Sequence, residues 1–300
     1  MSDIRFDGRV AVITGAGGGL GKTYALELAK RGAKVVVNDL GGKMDGTGGG
    51  HNMADQTVSE IKAAGGEAVA NYDSVSTPDG GEGIIKSALD AFGTVDVVIN
   101  NAGILRDKSF LKLTPDELGA VLDVHLKGAF YVSQPAFKVM REKGYGRFIF
   151  TSSAAGLLGN FGQTNYGAAK MGLVGLMHVL AVEGAKYNVK CNAIAPTART
   201  RMTEDILGPL AELLAPETVT PLVVYLCSEE CDLTHEIFSV GGGRFARIFV
   251  GLTPGWVAGK AKVVSAEEVR DHIGQIRSTD GFTVPRSIGD ELKAIAAALK

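Results

Sequence analysis

The chain has 300 residues, 45% of them hydrophobic, with 31 Lys and Arg against 33 Asp and Glu. That apolar content is ample for a packed core and too high for a disordered chain. A net charge of −2 provides no global attraction to nucleic acid or to an anionic membrane.

In chain order, Val10–Ile13 is a short apolar run, Leu20–Lys30 is patterned as a helix, and Lys34–Asn38 is apolar again. Strand-like runs follow at Ala68–Asn71, Val95–Asn100, Arg147–Ser152, Val189–Ile194 and Ile237–Val240. Between them lie helical stretches at Met53–Ala64, Gly80–Phe92, Pro115–Arg141, Gln163–Tyr187 and Thr218–Ser228. The strands are unbroken apolar runs rather than alternating ones, which predicts burial on both faces. Together with the strand–helix alternation, this predicts an α/β fold: one doubly wound, seven-stranded parallel sheet with helices on both faces. The domain is expected to span residues 1–243. Residues 244–300 read as a C-terminal extension packed on that domain or on a neighbouring subunit, being too short to hold much core of their own. Gly41–His51, rich in glycine, reads as a flexible surface loop.

Met171–Val182 is the most apolar stretch, but it is too short to span a bilayer and is read as a buried helix. The N-terminus shows no secretory signature and the last residues show no peroxisomal address. Three cysteines, Cys191, Cys227 and Cys231, suit free thiols in a reducing compartment. A cytoplasmic protein is expected. No further ligands cluster with Cys227 and Cys231, so no metal site is expected.

Thr14-Gly15-Ala16-Gly17-Gly18-Gly19-Leu20-Gly21 lies between the first strand and the first helix. Glycine at 15, 19 and 21 lets the backbone turn tightly and approach a pyrophosphate, while the helix start, with Leu20, supplies unpaired N–H groups. Asp39 ends the second strand, 18 residues past Gly21. A carboxylate there can accept both adenosine ribose hydroxyls and repel a 2′-phosphate, so NAD is expected rather than NADP. Asp73, with Ser74 after it, follows the third strand, where an acid can meet the adenine amino group or simply form a turn.

Tyr166 and Lys170 are four apart in a predicted helix, which places phenol and ammonium on one face. A phenol titrates near ~10. An adjacent ammonium and a positive nicotinamide ring are expected to lower that value, so that Tyr166 can take an alcohol proton. Ser153, at a strand end 13 residues earlier, can hold the substrate oxygen.

The ordered set of glycine loop, Asp39, Asn100-Asn101-Ala102-Gly103, Ser153, Tyr166 and Lys170 resembles the short-chain dehydrogenase/reductase family, with its Rossmann-type fold. The likeness runs from Arg9 to about Gly243. It implies that Asn101, Ala102 and Gly103 brace the cofactor, that Lys170 also binds the nicotinamide ribose, and that Ile194, Pro196 and Thr200 contact the carboxamide side. Where most members carry a relay asparagine, this chain has His125, which can relay a proton, bond a backbone carbonyl, or be a plain structural histidine.

A narrower resemblance is to the (3R)-hydroxyacyl-CoA dehydrogenase region of the type 2 peroxisomal multifunctional enzymes. It rests on Val37-Asn38-Asp39-Leu40-Gly41-Gly42, Ala70-Asn71-Tyr72-Asp73-Ser74-Val75, Asn101 to Asp107, Gly159-Asn160-Phe161-Gly162-Gln163, Arg201-Met202-Thr203 and the tail from Lys260 to Val284. It implies NAD-dependent oxidation of the 3-hydroxyl of an acyl- or steroid-side-chain CoA thioester, in a stand-alone and homodimeric protein. Two alternatives stay open: a 17β-hydroxysteroid dehydrogenase acting on the free steroid, and a non-catalytic NAD-binding scaffold.

Overall fold

A computed structural model describes residues 3–200, 208–260 and 262–299. The chain divides into two compact units, Met1–Arg247 and Ile248–Lys300.

In the first unit, β1 (Val10–Thr14), β2 (Lys34–Asn38), β3 (Glu67–Asn71), β4 (Val97–Asn100), β5 (Gly146–Thr151), β6 (Val189–Pro196) and β7 (Glu236–Gly241) pair in parallel. Their order is β3-β2-β1-β4-β5-β6-β7, closed at one edge by β8 (Arg244–Ile248). The helices between them are α1 (Gly19–Lys30), α2 (Asn52–Ala63), α3 (Pro78–Phe92), α4 (Pro115–Leu122), α5 (Gly128–Lys143), α6 (Ala154–Leu157), α7 (Thr164–Gly184) and α8 (Thr220–Cys227). Every residue of β1, β4 and β5 is buried, because a parallel sheet covered by helices has no wet face. Strand order reverses between β1 and β4, and in such sheets ligands bind in the crevice at the strands' carboxyl ends.

Among the described residues the sheet has eight strands, not seven. Gly242 and Gly243 both take positive φ, 58° and 79°, the two-residue turn that joins antiparallel strands. β8 is an exposed edge strand whose two arginines conceal it from a search for apolar runs. The predicted helix Pro115–Arg141 is also two helices. α4 is started by Thr114 and Glu117 in a reciprocal cap with Pro115 in the first turn, and a single wide turn, Asp123–Lys127, separates it from α5. α7 and the short turn after it, Thr164–Tyr187, are long and apolar enough by composition to cross a membrane. Here Ala169, Leu173, Val174 and Met177 of that helix are buried within the domain.

In the second unit, Ser265 and Glu268 cap α9 (Ala266–Asp271), followed by α10 (Ile273–Arg277) and α11 (Ile288–Ala298). Leu252 and Thr283 exchange backbone hydrogen bonds beside the stacked rings of Phe249 and Phe282, and Trp256 stacks on His272. None of its described residues is buried.

Candidate active site

The glycine loop leaves β1 with Gly15 at φ +65° and enters α1 with Gly19 at φ +52°. A β-carbon on Gly15 would sit 2.9 Å from Ala102 Cα, and one on Gly21 would sit 2.2 Å from the Gly15 carbonyl. Side chains are excluded from both places, which leaves a backbone cradle. The loop is braced from β4: Asn101 Nδ2 donates to the Thr14 and Gly15 carbonyls at 3.0 and 3.1 Å. Thr14 Oγ1 accepts the N–H groups of Asn101 and Ala102, each at 3.0 Å. Gly18, at the helix start, has no side chain to cap the first N–H groups of α1, so these and the helix dipole favour an anion.

Asp39 lies directly beside this loop. Its Oδ2 accepts the Gly17 N–H at 2.8 Å and its Oδ1 the Gly41 N–H at 2.7 Å. Each oxygen keeps a lone pair for a further donor. The cradle, a dipole end and an oriented carboxylate fit the pyrophosphate and ribose of a dinucleotide. Asp73 Oδ2 accepts from Asn71 Nδ2 at 2.8 Å and lies against α3 at Gly83. Ser74 Oγ shares a 2.8 Å hydrogen bond with Ser76 Oγ. Ile194 is buried in β6, where its carbonyl accepts the Ser152 N–H at 2.7 Å, and Pro196 ends the strand. Thr200 reaches back over the start of α1, with its Cγ2 at 3.6 Å from where a Gly19 β-carbon would be. Arg201, Met202, Thr203 and Leu207 lie outside the described residues. Leu210 and Leu213 are exposed and belong to no core.

Ser153, Tyr166 and Lys170 meet at the ends of β5 and α7. Ser153 caps α6, its Oγ accepting the Ala155 N–H at 3.1 Å, and its side chain lies near enough to the Tyr166 phenol to favour the phenolate. Lys170 is buried. Its Nζ donates to the Thr151 carbonyl at 2.6 Å and lies 5.4 Å from the Tyr166 ring centre. Ser152 Oγ donates to the Lys170 carbonyl at 2.8 Å, fixing α7 to the tip of β5.

In the protein by itself burial raises the phenol of Tyr166 above its ordinary range, with Ser153 opposing and Asp107 adding to the rise, so any lowering has to come from a positive nicotinamide ring in the loaded site. The Lys170 ammonium is itself disfavoured, its pKa pushed down to about 7 by burial. Desolvation, which spacing along a helix cannot express, is the dominant cause at both groups.

His125 sits in the wide turn between α4 and α5, packed over Gly103, where a β-carbon would be 2.3 Å from the ring. Its Nε2 meets the Ile104 N–H at 3.0 Å and the Ile104 carbonyl at 2.8 Å. Burial, and then the Lys170 charge, hold it well below the usual histidine range, so the ring is neutral. It stands edge-on to Tyr166, ring centres 5.2 Å apart. Backbone engagement of Nε2 leaves only Nδ1 for any direct part in proton transfer. His125 also lines a cavity of about 10 Å³ with Thr14, Asn100 and Ala102, room for one water.

Asn165, Gln163 and Asp107 also shape the site. Asn165, buried immediately before Tyr166, donates from Nδ2 to the Arg106 carbonyl at 2.9 Å and accepts the Tyr166 N–H at 2.8 Å. Gln163 Nε2 donates to Asp107 at 2.6 Å, joining the loop after β4 to the start of α7. A buried amide next to a reactive residue is the available cue, but composition alone cannot tell Asn165 from a surface asparagine. No group of three or more His, Cys, Asp or Glu among the described residues is placed to hold a metal, and the three cysteines are buried and free.

Comparison with known proteins matches residues 9–208 to the short chain dehydrogenases. A short-chain type dehydrogenase/reductase of Mycobacterium tuberculosis is 59% identical over 241 residues, covering 80% of this chain and 84% of that protein. The peroxisomal multifunctional enzyme type 2 of Mus musculus is 48% identical over 300 residues, covering 99% of this chain and 40% of that enzyme. The solved full-length peroxisomal multifunctional enzyme type 2 of Drosophila melanogaster superposes with a TM-score of 0.82 at 41% identity, over 99% of this chain and 50% of that one. A 7α-hydroxysteroid dehydrogenase complexed with NADH and 7-oxo glycochenodeoxycholic acid matches with a TM-score of 0.73 at 27% identity, over 81% of this chain and 98% of that one. The chain thus spans at most half the length of the two multifunctional enzymes.

Proposed function

This chain belongs to the short-chain dehydrogenase family, and we propose that it oxidises the 3-hydroxyl of a (3R)-hydroxyacyl-CoA, or of a steroid-side-chain CoA thioester, to the ketone with NAD. That it is an oxidoreductase acting on an alcohol with a nicotinamide cofactor follows from the family. The CoA thioester and the choice of NAD are our reading. The single observation that carries it is the meeting of Ser153, Tyr166 and Lys170 beside the glycine loop, in a chain similar over nearly its whole length to the mouse multifunctional enzyme.

A bound nicotinamide cofactor would supply the hydride acceptor for the carbinol carbon. Tyr166 takes the hydroxyl proton, and Ser153 holds the same oxygen through its own hydroxyl. Lys170, set between the Thr151 carbonyl and the phenol ring, keeps a positive charge close to the developing phenolate in its protonated form. Gly15, Gly19, Leu20 and Gly21 would receive the pyrophosphate and Asp39 the adenosine ribose.

The test compares kcat/KM for a (3R)-3-hydroxyacyl-CoA, the corresponding free hydroxy acid and a free hydroxysteroid, all with NAD. A gain of about 10-fold or more with the thioester is expected, since the CoA moiety adds binding contacts remote from the reacting carbon. Equal values would remove the thioester from the proposal. The solved hydroxysteroid dehydrogenase keeps the free-steroid reading as the second candidate, and preference for that substrate would establish it. The scaffold reading is disfavoured because all three reactive side chains are present and adjacent.

Asp39→Ala is expected to relax the preference for NAD over NADP by about 10-fold or more, because the lost carboxylate no longer repels a 2′-phosphate. Kinetics with both cofactors on both proteins check this, and a wild-type preference for NADP would overturn the assignment. Exposed Phe130 on α5, with Val179 and Val182 on α7, supports a homodimer built on these helices. Buried free thiols suit a reducing compartment, in our reading the cytoplasm, while the multifunctional relatives are peroxisomal by name.

A further inference from the structure

We propose that Gly46 and Arg106 are positioning residues for the dehydrogenase reaction: the segment Gly41–Gly50 is a strap that ties the Asp39 end of the cofactor site to the Tyr166 end. The inference rests on the cofactor placement proposed above. Far from lying loose on the surface, the segment is closed on itself, with the Gly50 N–H on the Leu40 carbonyl at 2.9 Å and the Lys43 N–H on the Thr47 carbonyl at 2.8 Å. Its root is Asp39, whose two oxygens hold Gly41 on the strap and Gly17 in the glycine loop.

Its tip reaches the loop after β4, far away in sequence. The Leu105 N–H donates to the Met44 carbonyl at 2.9 Å, and Arg106 Nε donates to the Asp45 carbonyl at 2.9 Å. Next to these two bonds Gly46, at φ +83°, lies against the Ile104 side chain. A β-carbon there would be 3.1 Å from Ile104 Cδ1 and 3.2 Å from its Cγ2. The residues beneath the strap are the ones that hold the phenol. Ile104 fixes His125 by its backbone and packs in one apolar cluster with Tyr166. The Arg106 carbonyl is the acceptor for Asn165, which in turn receives the Tyr166 N–H.

Two short routes of hydrogen bonds and packed side chains therefore run from the ribose carboxylate to the phenol. Cofactor engagement at Asp39 steadies the strap root, and the strap holds the Ile104–Arg106 shelf at the height Tyr166 requires. Gly46 sets the distance from strap to shelf, and Arg106 clamps it.

The test measures hydrogen–deuterium exchange without cofactor and with NAD, for the wild type, Gly46→Val and Arg106→Ala, together with steady-state kinetics. Peptides covering 103–109 and 164–170 are expected to gain protection on NAD binding in the wild type. In Gly46→Val both should exchange faster without cofactor, with kcat lower by about 10-fold or more, a displacement well under 1 Å being enough. The Kd for NAD should stay within about threefold. Arg106→Ala, which removes the side-chain bond to the Asp45 carbonyl and leaves the backbone carbonyl that Asn165 uses, should show the same pattern at smaller amplitude and serves if the valine variant does not fold. Unchanged exchange at 164–170, unchanged kcat, or a loss carried wholly by weaker NAD binding each overturns the proposal. A wild type inactive on hydroxyacyl-CoA would count against the proposed substrate alone, because the exchange readout needs no substrate.

Discussion

Tyr166→Phe is expected to lower kcat by about 100- to 10,000-fold, the usual worth of a positioned general acid–base, while NAD binding stays within about threefold. The phenylalanine keeps the ring, and with it the edge contact to His125 and the packing against the Ile104 cluster, so the fold should survive. What disappears is the phenol oxygen that takes the substrate proton. His125 is neutral but has Nε2 committed to the Ile104 backbone, and Ser153 is a far weaker acid than a phenol. Lys170 Nζ is turned to the Thr151 carbonyl.

The same site sets the pH dependence. Oxidation needs the phenolate, and burial followed by Asp107 raises the phenol, against the pull of Ser153. The rate of oxidation should therefore rise with pH through the phenol's pKa. Removing the Asp107 charge in Asp107→Asn removes one of the raising causes, so the acidic limb of the kcat/KM profile should move to lower pH. Rate–pH profiles and fluorescence titration with NADH decide these points. If Tyr166→Phe turns over at the wild-type rate, Tyr166 is struck from the mechanism.

What could be read from the sequence follows the range over which each cue acts. Seven strands were legible because each is an unbroken apolar run between helices, the signature of burial on both faces. β8 was not, because Arg244 and Arg247 interrupt Arg244–Ile248 at an exposed edge and its turn is hidden in a run of three glycines. The Tyr166–Lys170 spacing specifies a shared helix face whatever surrounds it, and the two side chains do lie together. The rise that burial imposes on the phenol could not be read from the sequence, because it depends on how much protein covers the ring, a property of packing rather than of neighbours four apart. His125 could be placed but not interpreted: only the fold shows that the Ile104 backbone occupies its Nε2. The strap was invisible as a structure for the same reason. Its bonds to Leu105 and Arg106 join segments with no shared periodicity, and a glycine-rich stretch looks alike whether loose or tied.

Lys170→Met is expected to do two opposite things: abolish most activity and stabilise the protein in acid. Lys170 is buried, with its pKa pushed by burial from 10.5 to about 7. A depression of that size places a penalty of about 5 kcal/mol on the charged form in the folded state. For a base held below its unfolded value the sign is fixed by proton counting. Below about pH 7 folded and unfolded chains both hold the proton, and the fold carries the whole penalty. As pH rises from about 7 toward 10.5 the folded protein releases its proton first, and the penalty fades. Methionine, similar in reach and uncharged, removes the penalty but leaves the Thr151 carbonyl without its donor, at a cost of about 1–3 kcal/mol. The variant should therefore be more stable than the wild type by about 2–4 kcal/mol near pH 6, with the gain shrinking to about zero near pH 9. Urea unfolding at both pH values measures it, and a difference that does not change with pH would mean that Lys170 is not held against its charge. A residue that destabilises the fold where it is charged and yet sits one turn from the reactive phenol is best explained by what the charge does for that phenol when a proton moves.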